Sequence, residues 1–134
     1  MNKNTRFTVL LTVILTLFAL VATLPVKAQK RPVLYGKVIF KTVSGYKKAL
    51  TNAEVQLLSI TREHKPGKVL YRAYSSSNGS FAFYGIARGK YFLKVIQNRE
   101  EFFQMQGNRK VKTIPIQVYD VSKTKKLPDI IVMR

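Results

Sequence analysis

From Val33 onward the chain shows no sustained helical period. Runs of β-branched and aromatic residues recur instead, punctuated by Gly, Asn and Pro. Side chains alternate across a strand, so each run divides into two faces. Val33 to Phe40 sets Leu34, Gly36, Val38 and Phe40 against Tyr35, Lys37 and Ile39. After a polar loop around Ser44-Gly45-Tyr46-Lys47-Lys48, Ala53 to Ile60 alternates Val55 and Leu57 with Glu54 and Gln56, and His64-Lys65-Pro66-Gly67 is expected to turn that hairpin. Lys68 to Ser75 is a third strand whose faces compete, Leu70 and Tyr74 against Val69 and Tyr71. The Asn78-Gly79 turn leads to Ser80 to Tyr84, where Phe81 and Phe83 share a face. Gly89 to Gln97 then places Tyr91, Leu93 and Val95 inward and Lys90, Phe92, Lys94 and Ile96 outward. Residues 98–108 read as a helical turn or a long loop, and Lys110 to Val118 and Asp129 to Met133 bring the count to seven strands. Pro115 cannot donate a ladder hydrogen bond and marks an edge or a bulge. Seven short strands with regular turns predict an all-β, two-sheet sandwich.

The first 28 residues follow a different logic. Lys3 and Arg6 precede an apolar stretch from Phe7 to Leu24, and Pro25-Val26-Lys27-Ala28 has the form of a processing site. Residues 1–28 are therefore expected to be a signal peptide cleaved before Gln29, with residues 29–134 forming one exported domain. An uncleaved anchor is the alternative, because a stretch of this length can span a bilayer. Either outcome puts the domain in the periplasm, the cell envelope or the extracellular space.

With no Cys in the chain, thiol catalysis, thiolate metal sites and disulfide scaffolds are excluded. His64 is the only imidazole and sits in a turn beside Glu63, with no nucleophile placed near it. Glu100-Glu101 is the only adjacent carboxylate pair, and strand neighbours cannot face each other across a substrate. No enzymatic activity, cofactor or metal is expected.

Two stretches resemble a known family. Gly36-Lys37-Val38 and Ala49-Leu50-Thr51-Asn52-Ala53-Glu54-Val55-Gln56-Leu57 are similar to the first and second strands of carboxypeptidase regulatory-like domains. Asn78-Gly79-Ser80-Phe81-Ala82-Phe83, Gly85-Ile86 and Gly89-Lys90-Tyr91-Phe92-Leu93-Lys94-Val95 resemble that family's turn-Gly-x-Phe-x-Phe, Gly-Ile and Gly-x-Tyr-x-Leu-x-Val. The resemblance implies a seven-stranded, transthyretin-like sandwich serving as an accessory module. Ser75 and Ser76 stand where the family often has Thr-Asp, a departure that argues against a cation at that turn.

Charge is the strongest functional lead. Lys and Arg number 24 against 6 Asp and Glu, and loss of Lys3, Arg6 and Lys27 with the signal lowers the formal charge only from +18 to +15. Tyr46-Lys47-Lys48, Lys90-x-x-x-Lys94 around Phe92, Arg109-Lys110-x-Lys112 and Lys123-x-Lys125-Lys126 mix positive charge with aromatics. Lys90, Phe92, Lys94, Arg109, Lys110 and Lys112 are the candidate polyanion-binding residues. Two functions compete on this reading: a protein-interaction or structural module of the envelope, and a binding module for anionic glycans, wall polymers or lipid head groups. Export takes the chain away from the chromosome, so nucleic acid is not an expected partner.

Overall fold

The computed structural model describes residues 31–134, so the expected signal segment 1–28 and its cleavage point lie outside the described residues. Twelve strands form two sheets, with no helix among the described residues. In chain order they are β1 (Leu34–Lys41), β2 (Lys47–Ala49), β3 (Glu54–Ile60), β4 (Pro66–Tyr74), β5 (Ser80–Phe83) and β6 (Gly89–Gln97). There follow β7 (Glu100–Glu101), β8 (Phe103–Gln106), β9 (Arg109–Val111), β10 (Ile114–Val118), β11 (Lys125–Lys126) and β12 (Ile130–Met133). The larger sheet has the order β11-β1-β12-β8-β9, with β2 and β5 also paired to β1; the smaller is β10-β6-β3-β4, with β7 on β6.

The first strand organises the larger sheet. Its N-terminal half lies between β5 and β11, its C-terminal half between β2 and β12, and its pairings with β11 and β12 are parallel. A parallel pair needs a long crossover, and here nearly the whole domain supplies it. Leu34 and Val38 from this sheet join Val55, Leu57, Tyr91, Leu93 and Val95 from the other in one buried cluster, giving a sandwich-like core. The inward faces read from alternation in β1 and β6 are the buried ones, whereas in β3 Gln56 and Leu58 are buried along with Val55 and Leu57.

Two glycines permit close approaches. A Cβ on Gly36 would come within 3.1 Å of the Phe81 ring, so the bare backbone there lets Phe81 lie across β1. Gly79 has φ +81°, and a Cβ on it would meet the Val38 carbonyl oxygen at 2.5 Å. Ser75 is buried where the β2–β3 connection meets β4: its Oγ accepts from Ala53 N at 2.8 Å and donates to Leu50 O at 2.6 Å.

The structure corrects several expectations. Twelve strands replace seven, because the loop around Tyr46 closes a hairpin of β1 with β2 and because residues 98–108 are not a helical turn. Phe102 enters the core there, while β8 and β9 form a hairpin. The expected strand Lys110 to Val118 breaks at Lys112–Thr113 and its two halves join different sheets; β10, with Pro115, is an edge. The β3–β4 turn is tighter than expected, with Thr61 N bonded to Lys65 O at 2.9 Å and Pro66 already in β4. The Asn78-Gly79 turn connects strands of different sheets. The competing faces of β4 have a cause: Tyr71 pairs Leu57 while Val69 pairs Leu58, so Leu70 is an extra residue at a bulge, and alternation restarts across it.

Candidate anion-binding surface

The two sheets divide the charge unequally. Strands of the larger sheet carry Lys37, Lys41, Lys47, Lys48, Arg109, Lys110, Lys125 and Lys126 and no Asp or Glu. The smaller sheet mixes Lys68, Arg72, Lys90 and Lys94 with Glu54, Glu100 and Glu101. Residues paired across a ladder share a face. With Leu34, Gly36 and Val38 inward on β1, Tyr35, Lys37, Ile39 and Lys41 point outward. Register then carries Lys126 out with Tyr35, Lys47 with Lys41 and Ile131 with Ile39. On β8, Gln104 pairs with buried Val132 and turns inward, which sends Phe103 and Met105 outward, and Lys110 pairs with Met105.

The outer face is thus a half-buried apolar floor of Ile39, Ile131, Phe103, Met105 and Met133 with lysines around it. Lys41 stands directly opposite Lys47, a like-charge pairing that is destabilising on its own. A groove of about 450 Å³ opens beside them, lined by Phe40, Lys41, Thr42, Val43, Lys110, Met133 and Arg134. Among the described residues neither Lys41 nor Lys110 is in an ion pair, and the Arg134 Nε contact with Glu100 is a loose 3.8 Å at the surface. Phosphate or carboxylate groups laid along this face would relieve the lysine repulsion and meet no carboxylate on its strands.

On the smaller sheet Arg72 and Lys94 are paired with carboxylates, while Lys68 and Lys90 are in no ion pair among the described residues. Arg72 Nε lies 3.0 Å from Glu54 Oε1, and the Gln56 amide donates to Glu54 Oε2 at 3.0 Å. Lys94 Nζ donates to Glu101 Oε1 at 2.9 Å, and Lys112 Nζ is 3.8 Å from Glu101 Oε2. The hydrogen bond from Lys94 holds the Glu101 carboxyl below the usual glutamate range; partial burial opposes this, and the nearby charges of Lys94 and Lys112 add to it.

The six residues singled out by sequence fall on both sheets. Lys90, Phe92 and Lys94 share the outer face of β6, as alternation requires. Phe92 is flanked by its register partners Leu58 on β3 and Pro115 on β10, and Lys90 borders a shallow hollow of about 300 Å³ with Ile60, Pro115 and Gln117. Lys94 was expected to be exposed, yet its side chain is only 18% exposed, because Glu101 on β7 folds back over β6 to hold it. Arg109 and Lys110 lie on β9, an edge of the larger sheet, and Lys112 follows it with its ammonium 5.6 Å from the Phe103 ring centroid. Lys94 and Lys112 thus converge on one carboxylate, while Lys90 and Lys110 belong to separate surfaces. Lys37, Lys41, Lys47 and Lys126 are the groups that residue spacing could not assemble, since only the pairing around β1 puts them on one face.

His64 is exposed in the β3–β4 turn, where Lys65 and Glu63 make an exposed 3.9 Å pair. Among the described residues no three His, Asp or Glu side chains cluster as a metal site would require.

No family model matches the chain, nor does any curated protein. Among solved structures the chain is similar to a candidate carbohydrate binding protein from Pseudomonas aeruginosa, at 16% identity and a TM-score of 0.48, over 80% of this chain and 93% of that one.

Proposed function

We propose that this chain is an exported, non-enzymatic, transthyretin-like β-sandwich module that binds an anionic polymer on the outer face of its larger sheet. The observation that carries this reading is the segregation of charge: the strands of that sheet hold lysines and no carboxylate, and Lys41 opposes Lys47 across a ladder. Export is supported by the basic, apolar and processing regions of residues 1–28, and the module type by the resemblance of residues 33–97 to carboxypeptidase regulatory-like domains. The apolar floor between the lysines suits the ring faces of a glycan or the stems of the lysines themselves.

A linear polyanionic glycan, heparin, is the first probe. The protein is expected to bind it at low salt and release it as salt rises, since exposed charges are screened over about 8 Å at physiological ionic strength. The double reversal Lys41→Glu/Lys110→Glu should weaken binding by about tenfold or more, whereas Lys90→Glu/Lys68→Glu on the smaller sheet should change it by about twofold. Binding to anionic vesicles but not to heparin would make the ligand a lipid surface. Retention indifferent to salt and to both reversals would return the protein-interaction reading to first place.

A further inference from the structure

Three segments meet at the end of the sandwich where the described chain begins. Val33 N donates to Phe83 O at 2.9 Å and Lys125 N to Val33 O at 2.9 Å, while Val118 at the end of β10 pairs with Gly89 at the start of β6. Residues 84–88 and 119–124 therefore form loops at the same end. Both loops display side chains that a folded domain usually covers: Tyr84, Tyr119 and Val121 are 55%, 68% and 48% exposed. Single exposed apolar side chains are ordinary, but a group of them gathered in neighbouring loops marks a contact surface.

The second loop is held in shape. Asp120 Oδ1 accepts from Ser122 Oγ at 2.6 Å and from Ser122 N at 2.9 Å, closing a tight turn with Tyr119 and Val121 on either side of the carboxylate. Those two hydrogen bonds, with the charge of Arg88 adding to them, hold the Asp120 carboxyl below the usual aspartate range. Asp120 is the only acidic residue of these segments, whereas Arg31, Arg88 and Lys123 are exposed and in no ion pair among the described residues. Tyrosine rings and an apolar side chain edged by cations suit a bilayer interface, where the rings lie among head groups and the cations meet lipid phosphates. A polyanion in water would satisfy the cations and leave Tyr84, Tyr119 and Val121 wet. The entry of the chain points the same way. Only residues 25–30 separate Leu24, the end of the apolar stretch, from Arg31, a tether of at most about 25 Å when extended, so that stretch in a bilayer, as signal or as anchor, keeps this end near the membrane surface.

We propose that this end of the domain docks on an anionic lipid bilayer, with Tyr84, Tyr119 and Val121 entering the head-group region and Arg31, Arg88 and Lys123 meeting lipid phosphates. The surface shares no residue with the lysine face of the larger sheet, so it stands or falls separately from polyanion binding.

The chain contains no Trp, so a single introduced one reports alone. Tyr119→Trp puts the reporter in the docking end. Tyr46→Trp puts it beyond the other end of β1, in a residue almost equally exposed at 67%. Emission of the exported protein is recorded as vesicles of equal parts phosphatidylglycerol and phosphatidylcholine are added, and again with phosphatidylcholine alone. A saturable blue shift is expected for Tyr119→Trp with the anionic vesicles only, and none for Tyr46→Trp. In vesicle sedimentation Tyr119→Ser/Val121→Ser should weaken binding about tenfold, the equivalent of losing one partly buried apolar side chain, and Val43→Ser/Tyr46→Ser should change it by less than about twofold. Absence of binding to the anionic vesicles, equal binding to the neutral ones, a shift for Tyr46→Trp as large as that for Tyr119→Trp, or undiminished binding of Tyr119→Ser/Val121→Ser would each overturn the proposal. A blue shift of Tyr119→Trp that grows with protein concentration in the absence of vesicles would make a second copy of the chain the occupant, and would overturn it as well.

Discussion

Replacing Phe102 by Ala tests whether residues 98–108 belong to the core. Phe102 is 1% exposed, its ring meets Phe40 edge-on with centroids 6.0 Å apart, and its backbone N–H donates to Val95 O at 3.0 Å. Full burial of such a side chain is worth about 1.5 to 3 kcal/mol, and an edge-to-face aromatic pair adds about 0.5 to 1.5 kcal/mol. The hole left behind brings the expected loss to about 3 to 5 kcal/mol. That is a large share of the roughly 5 to 15 kcal/mol typical of a whole domain. Phe103→Ala is the control: the neighbouring ring faces outward and is only half-buried, so about 1 kcal/mol is expected. Guanidinium midpoints at unchanged slope measure both, and Phe102→Leu gives a milder point if the alanine variant is too unstable to refold. Equal losses at Phe102 and Phe103 would refute the assignment of faces around β8.

Other consequences follow from single contacts. Gly79→Ala should destabilise the fold by about 2 kcal/mol or more, because it combines left-handed strain with a clash against the Val38 carbonyl, while Gly107→Ala, with φ +62° and open space, should lose only about 1 kcal/mol; denaturant midpoints compare them. The lowered pKa of Glu101 means that the Lys94 pair contributes stability above the ordinary glutamate pKa and loses it as pH falls through the lowered value, so Glu101→Gln should flatten that acid-side part of the stability profile. Intact-mass measurement of exported protein should give a mature chain beginning at Gln29, and retention of residues 1–28 would show an anchor instead.

Strand faces were legible wherever alternation ran unbroken. Leu34 and Val38, Val55 and Leu57, and Tyr91, Leu93 and Val95 are buried as their spacing implies. Alternation failed where neighbours outside the run decide burial: Gln56 and Leu58 point to the outer face of β3 yet are 6% and 3% exposed, because strands on both sides cover them. It also failed at the bulge beside Leu70, where the period restarts. The stretch Asn98 to Asn108 hid two short strands, β7 and β8, because Asn98, Arg99 and Gly107 turn the chain at positive φ every few residues, leaving no run long enough to show a period. The charge excess was plain in the sequence, but the absence of any carboxylate from the strands of one sheet was not. That segregation depends on the first strand pairing with the last two, a contact between residues almost a hundred positions apart.

Mapping a bound polyanion onto the two sheets tests the proposed function most directly. Amide and lysine side-chain NMR shifts are recorded as heparin is added at low salt, then reversed with added salt. Perturbations are expected to concentrate at Lys37, Lys41, Lys47, Lys110 and Lys126 and at Phe103 and Met133 on the outer face of the larger sheet, with Lys68, Arg72 and Lys90 left nearly unmoved. Shifts gathered instead around Lys90 and Phe92 on β6, or spread evenly over every surface lysine, would contradict a binding face built by the segregation of charge between the sheets.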